Sequence, residues 1–100
     1  MNGKMRFLVR VIFDIESGNR AASDPDFTKN AQGFMEKNKA EAAYFTVING
    51  ERNAIFIIDM PSPDMIPVIG LPFFKMGARV EFYPTMNLEE LRKGLSAAAK

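Results

Sequence analysis

The sequence predicts an α+β domain: an antiparallel sheet built in the order βαββαβ, followed by a further helix. Three observations predict it. Residues 5–14 are rich in β-branched and aromatic residues and alternate with period two, as a strand does. Asn49-Gly50 joins two further β-rich runs, and a type I′ hairpin turn needs positive φ at both of its central residues. Between and after these runs, apolar residues recur at spacings of three and four, the spacing of an amphipathic helix. The whole chain, 1–100, is the length of one domain.

Taken in order, residues 1–4 read as a frayed leader, with Met5 an equally good start. The first strand, 5–14, follows. Residues 15–23 carry Gly18, Asn19 and small side chains and read as a loop, either a plain surface connection or a lid. Asp24-Pro25 is a helix start, Asp as cap and Pro at the first helical position, although a start near Arg20 is also open. Phe27, Ala31, Phe34, Met35 and Asn38 then line one face of a helix over 25–39. Strands over 42–48 and 52–60 flank the Asn-Gly turn. Ser62 and Pro63 open a second helix ending near Lys75, short or kinked because Pro67 and Pro72 each remove a hydrogen bond. Gly77 breaks it, 78–83 form the fourth strand, and Pro84 stops that strand. Asn87-Leu88-Glu89-Glu90 reads as a capping box for a last helix with Leu88, Leu91 and Leu95 on one face. This order is the ferredoxin-like arrangement, with strands placed 4-1-3-2 and two helices on one face.

Composition narrows the function. The apolar fraction of 47% suits a packed core, and thirteen basic residues against twelve acidic ones leave +1, so bulk charge does not point to nucleic acid or membrane. The sequence contains neither cysteine nor histidine. Disulfides, thiolate nucleophiles, Cys or His metal sites, Ser-His triads and haem on an axial His are therefore excluded. No metal and no cofactor is expected. The longest apolar run, Ala54 to Ile58, is a strand length and far short of the roughly 20 residues that span a bilayer. A cytoplasmic protein is expected.

Parity assigns the faces of the sheet. Met5, Phe7, Val9, Val11 and Phe13 share one face with Ala43, Phe45, Val47, Ala54, Phe56, Ile58, Ala78, Val80 and Phe82, and this face should meet the helices. The opposite face receives Leu8, Ile12, Ile55 and Ile57 among Arg6, Arg10, Tyr44, Thr46, Asp59, Arg79, Glu81 and Tyr83. Its centre is too apolar to stand open to water, so a second copy packed face to face as a two-fold homodimer is expected.

The segments Ile58-Asp59-Met60-Pro61-Ser62, Leu71-Pro72-Phe73-Phe74 and Ala78-Arg79-Val80-Glu81-Phe82-Tyr83-Pro84 resemble the second half of muconolactone-isomerase-like members of the dimeric α+β barrel superfamily. Similarity extends to small uncharacterised bacterial members. The resemblance implies a barrel-like interior between two sheets. It implies no particular reaction, since the superfamily includes isomerases, cofactor-free monooxygenases, haem enzymes and proteins with no known reaction. Histidine-dependent members are poor guides to a chain without histidine.

Candidate site residues all lie on the open face. Arg6, Arg10 and Arg79 could hold a carboxylate bidentately, with Tyr44 and Asp59 completing a small-molecule site. The favoured alternative is that these arginines pair with Asp59 and Glu81 across strands or across the dimer, with Asp14 a further acid that could share the face. Glu81 or Asp59, desolvated with a raised pKa, could abstract a proton beside a carbonyl, with Tyr83 as orienting or acid group. Equally, both tyrosines could be interface residues with satisfied hydroxyls. The leading expectation is a dimer that binds a small organic molecule between the sheets. A cofactor-independent isomerase or monooxygenase-like enzyme and a non-catalytic structural dimer are the alternatives.

Overall fold

The computed structural model describes residues 5–100; the leader expected over 1–4 lies outside them. The element order is β1 (Arg6–Phe13), α1 (Ile15–Ser23), α2 (Phe27–Lys37), β2 (Ala42–Ile48), β3 (Glu51–Asp59), α3 (Met65–Phe74), β4 (Arg79–Pro84) and α4 (Leu88–Ala98). The strands form one antiparallel sheet in the order β2-β3-β1-β4, which is 4-1-3-2 counted from the other edge. The architecture is α+β and consistent with a ferredoxin-like fold.

The hairpin forms where the Asn-Gly pair places it. Asn49 and Gly50 have φ of 53° and 78°, and Ile48 pairs with Glu51 across a two-residue turn. This register sets Phe45 opposite Ala54 and so fixes which side chains of β2 share a face with those of β3.

The core lies between the sheet and the helices. Val9, Val11, Phe13, Ala54, Phe56 and Ile58 are buried on the helix side, as alternation predicts. Ile69 and Phe73 of α3 and Ala21 of α1 close over them. An aromatic cluster ties α2 to this layer: Phe34 meets Phe56 at 4.9 Å and Phe73 at 5.0 Å between ring centroids, both edge-on.

Residues 15–23 are a helix rather than a loop. Asp14 caps it, its carboxylate accepting from the Ser17 N–H at 2.7 Å, and that bond holds the Asp14 pKa below its ordinary value. The buried side of α1 consists of Ser17, Gly18 and Ala21. These side chains are too small to show an apolar period, though they let the helix approach the sheet closely. The expected loop is therefore a packed element, and Asp14 is its cap rather than part of the open face.

Two helix starts also differ. Asp24 ends α1, and its carboxylate accepts from the Asp26 N–H at 2.9 Å; α2 begins only at Phe27, beyond the Pro25 break. α3 begins at Met65 after a turn in which the Ser62 carbonyl accepts from the Met65 N–H at 3.1 Å. Pro67 thus falls in the first turn, where no intrahelical donor is lost, and Pro72 alone interrupts the helix interior. Gly77, with φ of 84°, turns the chain out of α3 into β4.

The capping box at α4 forms as expected, Asn87 and Glu90 each accepting the other's backbone N–H at 2.8 Å. The helix itself stands off the body. All of its residues are exposed, Leu88 and Leu95 by more than 60%. The described residues extend 53 × 30 × 19 Å with a radius of gyration of 15.4 Å, larger than the roughly 13 Å of a compact 100-residue domain.

Candidate functional site

The sheet register gathers the sequence-predicted site residues into adjacent rows of the face away from α1–α3. One row is Thr46, Asn53, Ile12 and Arg79; the next is Tyr44, Ile55, Arg10 and Glu81; the third is Ala42, Ile57, Leu8 and Tyr83. Arg6 and Asp59 pair in the fourth. Leu8, Ile55 and Ile57 are half-buried in the middle, while Tyr44 and Tyr83 are exposed.

A chain of hydrogen bonds crosses three strands. The Tyr83 hydroxyl donates to Glu81 Oε1 at 2.6 Å. Arg10 Nη1 donates to the same oxygen at 3.2 Å, and Arg10 Nε donates to Asn53 Oδ1 at 2.6 Å. Asn53 is buried, and its Nδ2 donates to the Glu51 carbonyl at 2.9 Å. Arg10 is therefore oriented from both sides, by a neighbour on each flanking strand.

The other arginines turn elsewhere. Arg6 Nε donates to Glu41 Oε1 at 2.7 Å, and Arg6 Nη1 pairs with Glu90 at the start of α4. The Glu41 bond is the main reason that the Arg6 pKa is raised. Arg79 lies 3.7 Å from Glu51 Oε1 and is largely exposed. Asp59 accepts from the Met5 N–H at 2.7 Å. Of the expected ion pairs, Arg10 with Glu81 forms; Arg6 and Arg79 take Glu41, Glu90 and Glu51 instead.

These last partners are absent from the sequence reading. Glu41 precedes β2 and Glu90 lies on α4, so strand parity does not place them; Glu51 and Asn53 sit on the open face by the same alternation that placed Ile55 and Ile57. Asn53 was the legible omission, an amide among the hydrophobic residues of β3.

The electrostatics of the single chain bear on the expected roles of Glu81 and Tyr83. The Glu81 pKa is lowered in the single chain, chiefly by the Tyr83 hydrogen bond; burial opposes this, and the charge and hydrogen bond of Arg10 and the charge of Arg79 add to the lowering. Tyr83 is raised, chiefly because its hydroxyl is held by Glu81. In the single chain Glu81 is thus stabilised as a carboxylate and Tyr83 as a phenol, which is not the arrangement of a base with elevated basicity. Because Glu81 is depressed, its stabilising contribution is present above the ordinary carboxylate range and lost as pH falls through the folded value. Tyr83 runs the other way, contributing fully below the ordinary phenol range and losing that contribution as pH rises through the raised value. In a Tyr44→Phe background, where Tyr83 is the remaining phenol, Glu81→Gln should lower the tyrosinate titration midpoint seen by ultraviolet absorbance. An unchanged midpoint would show that the 2.6 Å bond does not persist in solution.

Among the described residues, no group of three or more acids converges to hold a metal ion, and no helix is long and apolar enough to cross a membrane. Comparison of the chain with protein-family models, with curated proteins and with solved structures gives no match.

Proposed function

We propose that the protein works as a homodimer of the dimeric α+β barrel type, in which two open sheet faces close on each other and hold a small organic molecule between them. The observation that carries this reading is the centre of the open face: Leu8, Ile55 and Ile57, half-buried, flanked by the Arg10–Glu81–Tyr83 network and by exposed Tyr44. Apolar patches bordered by fixed polar groups are what interfaces and ligand chambers require.

The same geometry divides the polar groups by role. Arg10 and Arg6 are engaged by acids of their own chain, so they shape the chamber and present only their remaining N–H groups. Arg79, held more loosely, is the guanidinium best placed to meet a carboxylate. Tyr44 and Tyr83 offer ring faces to an apolar body and hydroxyls to its polar end. Asp59, tied to the backbone at Met5, borders the chamber. The ionised state of Glu81 supports binding rather than proton abstraction as the main activity. The exposed leucines of α4 support self-association as well, because an amphipathic helix gains stability by burying such a stripe.

The test is sedimentation combined with a thermal-shift screen of small carboxylates and phenols. The wild-type chain should sediment as a dimer at micromolar concentration. Ile57→Glu places an unpaired charge in the centre of the interface and should weaken association about a hundredfold. A hit should lose its stabilising effect in Arg79→Ala while that variant remains dimeric. A monomeric wild-type chain overturns the reading.

A further inference from the structure

A sizeable cavity lies away from the open face. It lies on the other side of the sheet, between α1, α2 and the β2–β3 edge, and measures about 920 Å³. Small-molecule pockets typically span about 300–1,000 Å³. A second space of about 380 Å³ continues from it toward Phe34, Phe56 and Phe73, sharing Phe13, Phe27, Ala31 and Phe45 with the first.

The sequence explains why this space stays unfilled. α1 lines it only with Gly18, Ala21 and Ala22, and α2 sets the small Ala31 beside Phe27, Thr28, Gln32 and Met35, so the α1 side of the space is left unfilled. The Asp24–Pro25 break separates the two helices, and α2 packs its rings on β1 and β3, Phe27 against Phe13 and Phe34 against Phe56. In consequence Phe45 and Val47, on the core-facing side of β2, are 55% and 63% exposed. Large apolar side chains on the helix side of a sheet are ordinarily covered.

One cation stands in the lining. Arg52 is in register with Phe13 and Val47, which puts it on the same side of the sheet as the cavity. Its Nη1 donates to the neutral Asn19 Oδ1 at 3.0 Å, and among the described residues it forms no ion pair with an acid. The one acid in the lining, Asp24, is occupied by the Asp26 N–H. A guanidinium without an acidic partner, at an apolar cavity, is complementary to a molecule with a long apolar body and a single carboxylate.

We propose that this cavity is a second binding site, distinct from the open face, and that it takes an aliphatic monocarboxylate of fatty-acid type. The alkyl chain lies among Phe13, Phe27, Met35, Phe45 and Val47, and the carboxylate accepts from Arg52. Charge favours this occupant over an apolar helix from a second copy, which would leave the guanidinium unanswered.

Dodecanoate, used below its micellar range, is the probe, and dodecan-1-ol is its uncharged counterpart. Calorimetry of the full chain should show saturable dodecanoate binding of one molecule per chain. Arg52→Gln should weaken dodecanoate binding by about tenfold or more while leaving dodecan-1-ol binding within about twofold. Ala31→Phe should abolish both by filling the cavity. Should that variant lose its cooperative melting, Val47→Asp serves instead, since it is an exposed position and a carboxylate there should repel dodecanoate and weaken its binding about tenfold or more. Backbone amide shifts on binding should cluster at α1, α2 and β2. The proposal is overturned if dodecanoate does not bind, if Arg52→Gln binds it as well as wild type, or if the shifts fall on the rows of Arg10 and Tyr83. Because Ile57→Glu leaves this cavity intact, binding by that variant separates failure here from failure of the dimer.

Discussion

Replacing Phe56 with alanine is expected to lower the unfolding free energy by about 3–5 kcal/mol. Phe56 is 1% exposed at the middle of β3 and is the ring around which the others assemble. Phe34 and Phe45 meet it edge-on at 4.9 and 6.2 Å, and Phe73 stacks on it at 5.9 Å. Truncation removes its own transfer energy and strips three other rings of contacts. It also enlarges a cavity whose wall Phe56 already forms, and neighbours that already leave a gap are poorly placed to collapse into it. Domains of this size are stable by about 5–15 kcal/mol, so the variant should approach the edge of folding. Phe45→Ala is the control: at 55% exposure it should cost far less. Urea denaturation of the two variants decides the matter, and equal costs would show that the aromatic cluster is not organised around Phe56.

Arg10→Leu is expected to cost about 1–3 kcal/mol, more than Asn53→Leu. The asymmetry follows from burial. Asn53 is 3% exposed, so loss of the guanidinium leaves its Oδ1 buried without the donor at 2.6 Å. Loss of Asn53 leaves Arg10 with Glu81 and with partial access to water. The double variant replaces both partners by apolar groups and should recover part of the loss, because the Asn53 Oδ1 is then no longer left buried without a donor. Chemical denaturation of the four proteins completes the cycle. Strict additivity would mean that the Arg10–Asn53 bond contributes nothing.

Much of the fold was legible because its signals are local. Asn49-Gly50 can satisfy its backbone only in a tight turn, and Asn87 with Glu90 answers a specific pair of unmatched N–H groups. Alternation along the four strands was clean enough to divide the sheet into its two faces, although Glu51 and Asn53 of the open face were passed over. What stayed hidden has physical causes too. α1 buries a serine, a glycine and an alanine, and such residues carry almost no hydrophobic period. The partners of Arg6 come from outside the strands, so no pattern within β1 could name them. The cavity beside α2 arises from side chains that are too short rather than from any that are present. Convergent charges mark the open face, with its arginines and tyrosines, whereas Arg52 pairs with no acid among the described residues and so leaves no charge pattern in the sequence.

The terminal arm has a consequence of its own. Helices shorter than about 12–15 residues barely hold together alone in water, and α4 has 11, joined to the body by the Arg6–Glu90 bridge at its first turn. In the proposed dimer its coiling is thermodynamically linked to burial of its leucines, so the order of its last two turns should rise with protein concentration.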